Sequence, residues 1–312
     1  MPRTLSPLLS TGAADSPPTW PRGSRGSMVA WRFMRVPEFG LASQTSNRTP
    51  APSRDSMGRI AWHCHECFHG MQKSETAGGI VVVIDVLRAS TTIVTALANG
   101  AIGVRPELSP DAARKAAKAA SCDGECLLGG ERGGLRIDGF DLGNAPRDYH
   151  RQAVAGRRIV TTTTNGTAAV AACPRAEAIL VGALVNRRAV AARALELALA
   201  GGGPPRPIHL VCAGTDGAVT EEDILAAGAI LDAAGATRLD DPAAAALERF
   251  RRTVRGATDA SVPLAAALAA SRGGTNLLAI GMAADIGDAA AIDAIPVVPR
   301  LDRGTGWFRI DP

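Results

Sequence analysis

Ile80-Val81-Val82-Val83-Ile84-Asp85-Val86-Leu87-Arg88-Ala89-Ser90-Thr91-Thr92 is a passage from strand to helix. Five β-branched residues in succession, with no polar alternation, predict a strand buried on both faces. The run ends on an acid, a guanidinium and three hydroxyl residues. Residues 91–99 then predict a short helix, stopped by Gly100.

The same layout recurs outward along the chain. Strands are predicted over 126–128, 157–161, 178–181 and 208–212, with a strand-like stretch over 291–298. Helices are predicted over 110–120, 167–172, 187–200, 220–235, 242–255 and 262–270. Ser109 serves as an N-cap with Pro110 in the first turn, and Thr220-Glu221-Glu222-Asp223 as a capping box. Strand–turn–helix repeated this often predicts an α/β fold: a mostly parallel sheet flanked by helices on both faces, in three layers. Ligands in such sheets bind where strands end and helices begin. The informative residues are therefore Asp85–Thr92, Thr161–Thr167, Asn186 and Ala213–Gly217.

Composition narrows the function classes. The chain has 312 residues, 46% hydrophobic and 21% charged, as expected for one large or two smaller globular units. No run of eighteen apolar residues predicts a membrane span. Residues 1–56 hold eight of the twenty prolines and seven Arg against three acids. They predict a disordered extension, with Met57 as an alternative start. Residues 57–312 then carry 27 basic and 27 acidic side chains, and this neutral balance argues against nucleic-acid binding. Six dispersed cysteines predict free thiols in a reducing, cytoplasmic setting rather than a disulfide framework. A homo-oligomer stays open.

Chemistry enters at the junctions. An acid, an Arg and hydroxyls at a helix N-terminus suit a phosphate held beside a metal ion; a capped turn with a paired Arg is the plainer alternative. In Thr161–Thr167, Asn165 suits left-handed backbone and Gly166 a close approach. Residues 129–146 read as a long ordered loop presenting Glu131, Arg132, Asp141 and Asn144. His63-Cys64-His65-Glu66-Cys67-Phe68-His69 suggests zinc, but no second ligand pair of matching spacing exists, so strand residues of mixed burial are favoured. The phosphatase signatures Cys-x5-Arg and Asp-x-Asp are absent, and so are the P-loop and the Gly-x-Ser-x-Gly elbow.

Taken together, several strings resemble the 2-phosphosulfolactate phosphatase family. They are Val82–Ala101, Gly130–Gly134, Gly139–Asn144 with Pro146, Thr162–Thr167, Cys212–Gly214, Glu222-Asp223 and Ala227-Gly228. The resemblance is strong over 78–235 and looser to 302. It implies magnesium-dependent hydrolysis of 2-phospho-3-sulfolactate to 3-sulfolactate and phosphate, a step of coenzyme M synthesis, on a family-specific α/β fold. It does not assign roles to residues; these are taken from chemistry. Asp85, Arg88, Glu131, Arg132 and Asp141 are the candidate catalytic residues. Asp85, Glu131, Asp141 and Asp223 are the candidate magnesium ligands. Ser90, Thr91, Asn144, Thr164, Asn165, Gly166, Thr167 and Asn186 are candidate contacts to a small anionic phosphorylated substrate. Attack by water is preferred over an aspartyl-phosphate on Asp85. A non-catalytic binder, or a phosphatase of another phosphorylated hydroxy acid, would share most of these residues.

Overall fold

The computed structural model describes residues 58–121 and 124–311. The predicted extension, residues 1–56, lies outside the described residues, as does Cys122.

Eleven strands form one sheet in the order β5-β4-β6-β3-β11-β10-β7-β2-β8-β1-β9. They are β1 (Ala61–His65), β2 (Ile80–Ile84), β3 (Gly103–Pro106), β4 (Cys126–Arg132), β5 (Leu135–Arg136), β6 (Arg158–Thr162), β7 (Ala178–Gly182), β8 (Ile208–Cys212), β9 (Arg238–Leu239), β10 (Pro299–Asp302) and β11 (Trp307–Ile310). β7-β2-β8-β1-β9 is one parallel block and β4-β6-β3 a second. The antiparallel hairpin β10–β11 joins them, pairing with β7 and β3 through one residue each. The predicted mostly parallel α/β/α arrangement is therefore present, with the two blocks running in opposite directions.

β2 shows why the sheet is buried on both sides. Ile80, Val82 and Ile84 enter one apolar cluster and Val81 and Val83 the other, and none is more than 2% exposed. Each side chain so buried contributes about 1.5–3 kcal/mol. Helix α1 (Ala89–Ala98) covers one face. The other is covered by α5 (Arg187–Leu199), α6 (Glu221–Ala234) and α7 (Asp241–Val254). The remaining helices are α2 (Pro110–Ala120), α3 (Arg151–Val154), α4 (Gly166–Ala171), α8 (Ser261–Ala270), α9 (Arg272–Ala279) and α10 (Ala283–Ala290). Among the described residues no helix is long and apolar enough to cross a membrane.

Three expectations need correction. Residues 291–298 form no strand: Pro296 lacks a donor, and Ile295 and Val297 instead bond Val185 and Asn186. The strand comes next, as β10. The long loop over 129–146 is shorter than predicted, because β4 continues to Arg132 and turns back into β5. Gly129 and Gly130 belong to that strand; they let it pass the Tyr149 hydroxyl and the Thr162 backbone, where a Cβ would collide. The capping box at Thr220 does not form, since the Thr220 side chain caps nothing and the Asp223 carboxylate is used elsewhere.

Candidate functional site

The carboxyl ends of the two parallel blocks meet at one place. Asp85 follows β2, and Gly166 opens the helix after β6. A Cβ on Gly166 would stand 2.7 Å from Asp85 Oδ2 and 2.8 Å from the Ala89 Cβ, so this approach requires glycine. Gly166 does not have positive φ, and Asn165 (φ −113°) is not left-handed. The Asn-Gly pair serves proximity rather than a left-handed turn.

Four buried carboxylates gather around this contact: Asp85, Glu131, Glu222 and Asp223. Asp85 Oδ1 accepts from the Ala89 N–H at 3.1 Å, as expected of an acid at the start of α1. Burial pushes its carboxyl up to about 7, and Glu131 and Glu222 push the same way. Asp223 lies in the first turn of α6. Its two oxygens accept from the Val86 and Gly214 N–H groups, at 2.8 and 2.9 Å, tying the turns after β2 and β8 together. Burial raises its carboxyl as well, with Asp85 and Glu222 adding to the effect. Glu131 ends β4. Its Oε2 accepts from Gly134 N–H at 2.8 Å, and Oε1 accepts from Thr164 N–H and Oγ1–H at 2.9 and 3.0 Å. Glu222 is 2% exposed, its carboxyl is raised by burial, and its Oε2 has no partner.

The cations are distributed unevenly. Arg88 follows a cis Leu87–Arg88 peptide and is 3% exposed. Its Nη1 donates to Asp285 Oδ2 at 2.7 Å and to Met282 Sδ, and its Nη2 donates to Gly134 O at 2.5 Å. Arg132 is exposed. It donates to the Glu131 carbonyl and the Thr162 hydroxyl and, among the described residues, makes no ion pair.

Several predicted contacts are spent on the chain itself. Ser90 Oγ accepts from Asp85 N–H, Thr91 Oγ1 donates to Val86 O, and Thr92 Oγ1 donates to Asn144 O. The Thr163 and Thr167 hydroxyls each accept from the other's backbone N–H. Asn186 uses its whole amide on Ala183, Val181 and Val297. Asp141 is exposed and accepts from Leu128 N–H, well back along β4 from the carboxylate group. The structure thus brings together Asp85, Glu131, Arg132, Asp223, Thr164 and Gly166. It holds Asp141 and Asn186 elsewhere.

Glu222 and Asp285 were not singled out in the sequence. The capping-box reading accounted for Glu222 as a helix-start acid, and nothing before folding points Asp285 at Arg88. In the histidine-rich stretch, Cys64 lies in the core on the opposite face of β1 from His63 and His65. Among the described residues Cys67 bonds His69 and the Ala213 carbonyl. The favoured reading as strand residues of mixed burial describes His63–His65, whereas Glu66–His69 lie beyond the end of β1.

A divalent metal can be tested against these donors. Among the described residues no three acidic, imidazole or thiol side chains form a ready cage. Glu131 and Asp223 have their oxygens engaged by the donors above. Asp85 and Glu222 retain oxygen lone pairs in a group of like charges. Two carboxylates with open positions are the donor set magnesium ordinarily takes, the remainder being water and substrate phosphate.

Comparison with known proteins finds relatives over most of the chain. Residues 67–304 match the 2-phosphosulpholactate phosphatase family. A Deinococcus radiodurans protein named probable 2-phosphosulfolactate phosphatase is 42% identical over 229 residues, covering 72% of this chain and 88% of its own. A protein of the same name from Symbiobacterium thermophilum is 39% identical over 234 residues, covering 74% and 94%. Another, from Synechococcus sp., is 38% identical over 246 residues, covering 75% and 95%. A match of this extent means that the chain belongs to the 2-phosphosulpholactate phosphatase family.

Proposed function

We propose that the protein hydrolyses the phosphate monoester of 2-phospho-3-sulfolactate, giving 3-sulfolactate and inorganic phosphate, and that it does so with magnesium. The observation that carries this reading is the charge imbalance at the crevice. Four buried carboxylates stand together, and among the described residues the one guanidinium buried beside them is paired with a fifth acid. Such a group repels an anionic substrate unless a cation intervenes.

Asp85 and Glu222 would hold the metal, correcting the expected ligand set of Asp85, Glu131, Asp141 and Asp223. When bound, magnesium supplies polarisation of the phosphoryl oxygens and a lowered pKa for water. Arg132, exposed and without an ion pair, receives the carboxylate, sulfonate or phosphoryl group with its forked donors. Arg88 presents its remaining donors from the floor of the crevice. Glu131 does not bind substrate. It fixes Thr164 and Gly134, and so the walls on either side. Asp85 would be ionised while it holds magnesium, so its part is to bind the metal and not to take the proton of the attacking water. Attack by water remains the preferred route over an aspartyl-phosphate on Asp85.

The test is release of phosphate by the purified full chain from a panel of phosphorylated hydroxy acids, with magnesium and with chelator. Preferred turnover of 2-phospho-3-sulfolactate that needs magnesium is expected. Equal rates in chelator would end the metal reading. A better substrate without a sulfonate would change the specificity. Tight binding with no phosphate release would leave a binding protein.

A further inference from the structure

Arg88 is held by three segments that are remote in sequence. Asp285 lies in α10, Met282 just before it, and Gly134 at the tip of the β4–β5 hairpin. The pair it forms with Asp285 is nearly sealed, with side chains 3% and 6% exposed. Asp285 is its one acidic partner. A buried ion pair of this kind is weak evidence for stability, because desolvation offsets most of the attraction. Well-packed apolar residues would hold the helix as firmly.

The way the donors are divided points further. A guanidinium has five N–H groups in a fixed plane. Both Nη1 acceptors lie on α10 and its lead-in, and Nη2 is shared with Gly134 O. Among the described residues none accepts a hydrogen bond from Nε. The edge formed by Nε and Nη2 therefore has donor capacity to spare, three residues after Asp85. α10 is itself anchored one turn on, where Arg147 grips Asp288 through two bonds of 2.5 and 3.0 Å. At the hairpin tip, Gly134 donates N–H to Glu131 while accepting from Arg88, and a side chain there would strike Ile280. The plane of the guanidinium is thus set from the far side by rigidly placed groups.

We propose that Asp285 is a positioning residue for phosphoryl binding: it orients Arg88 so that the Nε edge meets the phosphate oxygens, without touching substrate itself. This rests on the phosphatase reading above. A carboxylate opposite Nη1 fixes both the direction and the reach of the fork, as partners behind a ligating side chain generally do.

Asp285→Asn keeps the shape and one acceptor but removes the charge. With magnesium and 2-phospho-3-sulfolactate, kcat/KM should fall about 10- to 100-fold. Most of the fall should appear in KM, and product inhibition by inorganic phosphate should weaken by the same factor. In an Arg88→Lys background the same change should add nothing beyond about twofold, since both act through one fork. Wild-type kinetics in Asp285→Asn, or losses that multiply in the double variant, would overturn the proposal. Should Asp285→Asn not fold, Asp285→Glu retains the charge and displaces the guanidinium by a methylene. A raised KM is expected there, and an unchanged one refutes positioning. If the wild-type chain hydrolyses no phosphorylated sulfolactate, the phosphatase reading falls. Calorimetry with inorganic phosphate then decides the inference separately. Equal weakening in Asp285→Asn and Arg88→Lys supports it, and undiminished binding in Asp285→Asn ends it.

Discussion

Two groups of ionisable side chains sit on this sheet, and they are built in opposite ways. On the face of β1 and β8, His63, His65 and His209 stack with ring centroids 4.9 and 5.4 Å apart. His63 bonds Asp240 at 3.1 Å, His65 faces Glu75 at 3.5 Å, and His65 meets His209 at 3.1 Å. Both outer imidazoles have their own carboxylate. At the carboxyl end of β2, four carboxylates face one another, while Arg88 is committed to Asp285. Both groups contain residues that titrate abnormally. What separates them is charge balance: the outer imidazoles of the first are matched by carboxylates, although His209 Nε2 is buried without a partner, and the second is left short of positive charge. Abnormal titration alone does not mark a site; the missing counter-charge does.

The largest test of that contrast is Asp85→Asn. Turnover should fall by orders of magnitude, because a carboxylate that would hold magnesium loses its charge. Stability should move the other way. The Asp85 carboxyl is raised from 3.8 to about 7, so between those values the folded protein holds a proton that the unfolded chain has released. Stability contributed by that proton is present below about pH 4 and lost as pH rises toward 7. Metal-free Asp85→Asn should therefore melt above metal-free wild type at pH 8, with the difference vanishing near pH 4. Magnesium should raise the wild-type Tm at pH 8 and leave the variant unmoved. Wild-type turnover in Asp85→Asn would remove it from the chemistry.

A matched pair of glycines sharpens the comparison at a smaller scale. Gly166→Ala would drive its Cβ against Asp85 Oδ2. Gly79→Ala would drive its Cβ to 2.6 Å from His209 Cδ2. Both overpack, at about 1–3 kcal/mol, or roughly 2–4 °C in Tm for each kcal/mol in a chain of this size. The expected difference is in kinetics: Gly166→Ala should lose about 10- to 100-fold in kcat/KM through misplacement of Asp85, while Gly79→Ala keeps wild-type turnover per folded molecule. Parallel losses in melts and kinetics would show that the two groups do not differ functionally.

How much of this was legible follows the range over which each signal acts. β2 and Asp85 were readable because an unbroken β-branched run and its terminal acid are local. Glu131, Arg132, Thr164 and Gly166 were readable because they sit in short polar strings at strand ends. Glu222 was hidden by its neighbours, since an acid in a first helical turn already has an explanation. Asp285 lies in a short Ala-rich helix whose meaning depends on Arg88, 197 residues away. Gly129 and Gly130 read as loop because glycine in a strand and glycine in a turn look alike before the neighbour that demands it is known. The β10–β11 hairpin was missed for a similar reason. Its strands are four residues each and owe their place to single-residue pairings at both joints. The opposed direction of the two blocks exists only through those joints.

The smallest expected effect belongs to the histidine group, and its sign is opposite. His209 is pushed down from 6.5 to about 4, first by burial and then by His65 and His63, with Asp240 opposing; His65 is lowered as well, mainly by burial. A folded state that refuses protons the unfolded chain accepts is fully stable above about pH 6.5. It loses that contribution as pH falls toward 4. His209→Gln keeps a polar partner for His65 and removes the titrating ring from the middle of the stack. The variant's Tm should therefore decline less between pH 7 and pH 4.5 than the wild type's, by a few degrees at about 2–4 °C per kcal/mol. Turnover at neutral pH should not change, because no residue of the carboxylate crevice touches His209. The groups around the stack are Asp240, Glu75, His63 and His65, and none of them is altered, so the narrowing isolates His209. An unchanged acid slope would mean that the outer histidines carry the linkage. Lost turnover at neutral pH would mean that the two groups are coupled through β8, and the balance argument would then have to treat them as one.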